Sequence, residues 1–68
     1  MNLDPTPELV HTWLGEHPHS SAREVAMGLH VPNDRTVFMV LERLELAGRA
    51  QRWQAPNGPW RWEAVTPR

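Results

Sequence analysis

Sixty-eight residues allow one domain with a small core, in a size range where stability is marginal and an enzyme cleft of ordinary size has no room. Cysteine is absent, which excludes disulfides and thiolate metal sites, so Trp13, Trp53, Trp60 and Trp62 are expected to supply the stability that such staples would give. The net charge of −1 hides an uneven distribution: residues 1–34 carry one arginine against five carboxylates, a balance of −4, and residues 35–68 carry six arginines against three glutamates, a balance of +3.

Met1 to Thr6 has neither the basic nor the apolar region of a signal peptide, and no apolar run approaches the ~18 residues of a membrane span. The chain is therefore expected to be soluble and cytoplasmic, with residues 1–5 as an arm, residues 66–68 as a tail and no membrane partner. Thr6, Pro7 and Glu8 mark a helix start, because threonine caps, proline is tolerated at the first helical position and glutamate favours the positive end of the helix dipole. Leu9, Val10, Trp13 and Leu14 share a face of this first helix, and Gly15 is its expected stop. From Glu16 to Ser20, Pro18 excludes helix and leaves a short edge strand or an extended connector.

Ser21 and Glu24 have the spacing of a capping box, and Ala22, Val25, Ala26 and Leu29 form the apolar stripe of a second helix that ends near Gly28. In the link that follows, Val31 plugs the corner, Pro32 stops the preceding helix and Asn33 caps a third. Val37, Val40, Leu41 and Leu44 are the inward face of helix 3, and Gly48 closes it. Beyond Arg49 the period changes to two. Ala50 to Gln54 and Trp60 to Val65 flank Pro56, Asn57, Gly58 and Pro59, and Asn-Gly is a strong hairpin signal. With Asn57 and Gly58 as the turn, Trp53 faces Trp62, Ala55 faces Trp60 and Arg52 faces Glu63, which puts three tryptophans on one side of the ribbon; two prolines at the tip favour a longer loop and leave the register open.

Three helices followed by a two-stranded ribbon, with a possible short third strand, give an α+β chain with the outline of a winged helix-turn-helix domain. The run Val-Leu-Glu-Arg-Leu-Glu-Leu-Ala-Gly-Arg at Val40 to Arg49, entered from Ser-Ala-Arg-Glu-Val-Ala upstream, resembles the winged-helix superfamily of bacterial and archaeal regulators. Its Leu-Glu-Leu-Ala-Gly-Arg piece is similar to the C-terminal winged helix of the DNA-processing protein A family, and the proline-bearing wing is similar in outline to that of Z-DNA-binding winged helices. Phe38 and Glu42 stand where Z-DNA binders have asparagine and tyrosine, so that activity is not implied. Ala50 stands where regulators usually carry a larger aliphatic residue, which leaves room for a tryptophan. The resemblance implies duplex DNA as a partner, with helix 3 in the major groove and the wing on the flanking backbone.

The candidate contacts follow from that docking. Opposite its inward stripe, helix 3 carries Arg35, Met39, Glu42 and Leu46, flanked by Phe38 and Arg43; glutamate accepts from cytosine and apolar groups touch thymine methyls. Arg49, Arg52 and Arg61, with Asn57 at the tip, form a basic wing for phosphates or the minor groove, unless Arg52 merely pairs with Glu63. Ser20, Ser21 and Arg23 on helix 2, and Arg35 and Thr36 on helix 3, are placed for phosphate, with plain capping as the alternative for Ser21. All seven basic residues are arginine, the side chain whose fork suits phosphate and guanine, although a GC-rich genome produces the same bias.

A competing reading makes Phe38, Met39 and Leu46 a homodimer or protein-partner interface, or has Leu3 of the arm cover them. A more distant one stacks single-stranded bases on Trp53, Trp60 and Trp62. His11, His17, His19 and His30 match no zinc spacing, Ser20 and Ser21 lack a triad, and no phosphate-binding glycine loop occurs. No metal, cofactor, small-molecule substrate or catalytic residue is expected. The expectation is a small DNA-binding regulator or accessory protein acting as a dimer.

Overall fold

The computed structural model describes residues 5–54 and 56–65. These form three helices and one antiparallel sheet in the order α1 (Pro7–Glu16), β1 (Ser20–Ser21), α2 (Ala22–Gly28), α3 (Asp34–Leu46), β2 (Ala50–Gln54) and β3 (Trp60–Ala64). The chain is α+β, and β3 is the middle strand between β1 and β2. The expected positions of Leu3 and Ala55, and of the terminal segments 1–4 and 66–68, lie outside the described residues. No helix among the described residues is long and apolar enough to cross a membrane.

Each helix starts where its capping residue stands. The Thr6 hydroxyl accepts from the Leu9 amide at 3.1 Å, with Pro7 in the first turn. Ser21 and Glu24 close a reciprocal capping box at 3.1 and 3.2 Å, and the Asn33 side chain accepts from the Arg35 amide at 3.0 Å. These bonds satisfy amides that the first turn leaves without a helical partner. Gly15 does not stop α1, which continues through Glu16. The stop is set instead by Pro18, which pushes His17 out of the helical region to φ −132°, ψ 69°.

Both later helices end on a residue of positive φ that turns two amides back onto the last turn. In α3 that residue is Gly48 at φ 75°, with the Gly48 amide bound to the Glu45 carbonyl and the Arg49 amide to the Leu44 carbonyl. In α2 it is His30 at φ 58°, with the His30 amide bound to the Met27 carbonyl and the Val31 amide to the Ala26 carbonyl. Gly28 does something else. An added Cβ there would lie 2.2 Å from Trp13, so the missing side chain is what lets the indole lie across the end of α2.

The core holds Val10, Leu14, Val25, Ala26, Val37, Leu41, Leu44, Ala50 and Trp62, with Trp13, Phe38 and Val40 among the half-buried groups packed against it. Trp62 is fully buried in the same cluster as Ala50, the small residue expected to leave room for an indole. The ribbon register differs from the expected one by a single residue. Arg52 pairs with Trp62, Trp53 with Arg61 and Gln54 with Trp60, so a longer loop replaces a two-residue Asn-Gly turn. Because side chains alternate along a strand, that slip exchanges the faces of β2. Trp60 and Trp62 share the inner face with Ala50, Arg52 and Gln54, and Trp53 lies on the outer face with Gln51, Arg61 and Glu63. Strand β1 pairs with β3 through Ser20 opposite Trp62 and Ser21 opposite Arg61.

Candidate nucleic-acid interface

The exposed side of α3 follows from its inward stripe. With Val37, Leu41 and Leu44 buried, the 3.6-residue period puts Arg35, Thr36, Met39, Glu42, Arg43 and Leu46 on the opposite side, and all six are exposed. Met39 is 51% and Leu46 88% accessible, so two apolar groups stand in water on the same stripe as the arginines. Phe38 is not part of this surface. Its ring meets Trp62 edge-on, 85° and 5.7 Å between centroids, on the flank of α3 that faces the ribbon. The expected Phe38, Met39, Leu46 face therefore reduces to Met39 and Leu46.

Arg23 near the start of α2 is exposed as well. Among the described residues no carboxylate lies within ion-pair distance of Arg23, Arg35, Arg43 or Arg49. The other two arginines of the expected wing are engaged inside the protein. Arg52 places Nε 3.3 Å from Glu45 Oε2, and its guanidinium carbon lies 5.0 Å from the Trp60 ring, 5.3 Å from Trp62 and 5.9 Å from Phe38. Its partner is thus Glu45 on α3 rather than Glu63. Arg61 donates from Nη1 to Glu24 Oε1 at 2.7 Å and to the His19 carbonyl at 3.1 Å. Asn57 at the ribbon tip is exposed.

Ser20 and Ser21 do not face solvent. Ser20 is 5% accessible and its hydroxyl donates to the His17 carbonyl at 2.6 Å. Ser21 is 6% accessible and caps its own helix, so neither hydroxyl is presented to a phosphate. The Ser21 amide holds the Glu24 carboxyl below the ordinary glutamate range; desolvation opposes it, and the Ser21 hydroxyl and the Arg61 guanidinium add to the lowering.

An open cleft of about 430 Å³ lies between the ribbon's inner face and the starts of α2 and α3. Phe38 and Trp62 form its aromatic wall, Trp60 is 41% accessible, and Arg23, Asp34 and Gln54 stand around it. Among the described residues the buried indole Nε1 of Trp62 has no hydrogen-bond partner, although a donor so enclosed normally has one. The sequence contained every residue of this cleft, but their convergence depends on the ribbon register. His11 Nε2 bonds to the Val65 carbonyl at 3.0 Å, His17 stacks on Trp13 at 4.2 Å and His19 meets Trp53 edge-on at 5.0 Å. Among the described residues no three metal-ligating side chains cluster.

No known protein family, curated protein or solved structure matches this chain.

Proposed function

We propose that this chain is a winged helix-turn-helix module that binds duplex DNA without a catalytic step, with α3 as the reading helix and the ribbon as its wing. The observation that carries the reading is the exposed arginine set Arg35 and Arg43 on α3, which pair with no carboxylate among the described residues, with Arg23 on α2 near the start of α3. Arg35 and Arg43 reach base edges or phosphates from the groove, Thr36 supplies a hydroxyl, Met39 contacts a thymine methyl, and Arg23 and Arg49 hold the flanking backbone. Arg52 and Arg61 have a different role: they fix the ribbon's position relative to α3 and α2. Fluorescence anisotropy on a duplex at several salt concentrations tests the reading. Removing one phosphate-binding arginine, as in Arg35→Ala, lowers the slope of log affinity against log salt by about 0.9. Absence of duplex binding at low salt overturns it.

A second reading rests on Leu46, whose exposure is unusual for a leucine beside charged neighbours. Two copies of α3 packed antiparallel would set Met39 against Leu46 of the other copy, and Glu42 against Arg43, twice over about a two-fold axis. This pairing uses the same face as DNA, so the two uses compete. Ultracentrifugation of the native chain and of Met39→Glu separates them: a dimer that Met39→Glu dissolves, without loss of a DNA complex, favours the protein interface.

A further inference from the structure

We propose that the cleft between α3 and the ribbon receives a single unstacked nucleobase, so that the preferred ligand is a duplex interrupted by an unpaired nucleotide. This rests on the nucleic-acid reading above and adds the kind of site recognised. The walls ask for a planar body, since Phe38 and Trp62 meet at 85° to form an aromatic corner and Trp60 is half open at its side. Arg52 stacks within 5.0 Å of the Trp60 ring and keeps that indole in place.

Polarity narrows the occupant further. Asp34 at the cleft asks for donors, and guanine offers its N1–H and exocyclic amine side by side to the two carboxylate oxygens where thymine offers a single ring N–H. Arg23, exposed on the same cleft, asks for an anion. An aliphatic or aromatic peptide side chain satisfies the walls alone. A nucleotide satisfies the walls, the carboxylate and the arginine together, and a volume of about 430 Å³ is in the range that holds such groups. An unpaired base enters at lower cost than one drawn from an intact pair, which is why an interrupted duplex is favoured over a perfect one.

The test compares three duplexes of one sequence by anisotropy: fully paired, carrying one unpaired guanine, and carrying an abasic residue at that position. The expected result is about tenfold tighter binding of the guanine bulge, with the abasic bulge falling back to the paired affinity. Trp60→Ala should bring the guanine bulge down to the paired level, and Asp34→Asn should narrow the preference for a guanine over a thymine bulge. Equal affinity for all three duplexes overturns the base site and leaves duplex binding standing. If no duplex binds, quenching of tryptophan fluorescence by a short single-stranded oligonucleotide decides the remainder: quenching lost in Trp60→Ala keeps the base site and overturns the duplex reading, and no quenching overturns both.

Discussion

The two faces of the β2–β3 ribbon are built from the same kinds of residue and used in opposite ways. On the inner face Trp62 is fully buried, and Arg52 is held between Glu45 and three aromatic rings. On the outer face Trp53 is half-buried against His19, and Arg61 ties β3 to Glu24 and to the residue before β1. A tryptophan and an arginine on each side thus do different work: one pair closes the core beneath α3, the other clasps β1 and the start of α2 to the middle strand. The contrast teaches that neither residue type identifies a binding surface in this chain, because the register assigns each to packing, to bracing or to solvent.

The hardest way to break this comparison is to remove the indoles. Trp62→Ala should cost about 3 to 5 kcal/mol, enough to unfold most of a domain whose total stability is of that order. Trp53→Ala should cost only about 1 kcal/mol, the scale of a half-exposed aromatic pair. Thermal melts of both variants by circular dichroism measure the difference. Equal losses would mean that the two faces of the ribbon are not distinguished as described.

A smaller effect sharpens the outer-face half. Ser21→Ala removes one arm of the capping box, the bond from the Glu24 amide to the hydroxyl, and should cost about 0.5 to 2 kcal/mol, while the residue 21 amide still holds the Glu24 carboxylate beside Arg61. The same cluster predicts a pH dependence. Glu24 has a folded pKa below its ordinary value of 4.5, so its contribution is complete above that value and is lost as the pH falls through the lowered folded one. Urea midpoints of the native chain and of Glu24→Gln should therefore differ at neutral pH and converge as the pH falls below about 4.5. A gap that does not narrow at all as the pH falls below about 4.5 would show that the carboxylate charge is not its source.

Local signals were legible in the sequence where one residue type suffices for one piece of geometry. Thr6, the Ser21 and Glu24 pair, Asn33 and Gly48 each announce a cap or a stop, and all stand where expected. His30 was not legible as a helix terminator, because its positive φ is imposed by the tight link to α3 on a residue that does not prefer it. The ribbon register was missed for a comparable reason. Asn57 and Gly58 specify a short turn, but the pairing that buries Trp62 against the helices with Ala50 and Ala64 on the same face outweighs turn preference. One residue of slip then decided the candidate site: it moved Trp53 away from Trp60 and Trp62 and turned Arg52 toward Glu45. The arginines of α3 did not depend on that slip, so their exposure followed directly from the spacing of Val37, Leu41 and Leu44.

The smallest effect separates bracing arginines from those proposed to bind DNA. Arg61→Ala removes an exposed ion pair worth about 0.2 to 1 kcal/mol and a bond to the His19 carbonyl, so it should lower the melting temperature slightly. Because Glu24 already neutralises that guanidinium, little counterion is released when it approaches a phosphate, and the salt slope of DNA binding should stay close to native. Arg35→Ala should do the reverse, leaving the melt nearly unchanged and lowering the slope by about 0.9, since its side chain is exposed and pairs with no described carboxylate. Parallel melts and salt titrations of the two variants read both quantities. A steep drop of slope in Arg61→Ala would mean that the Glu24 pair opens to DNA, and the outer face of the ribbon would then join α3 in the binding surface.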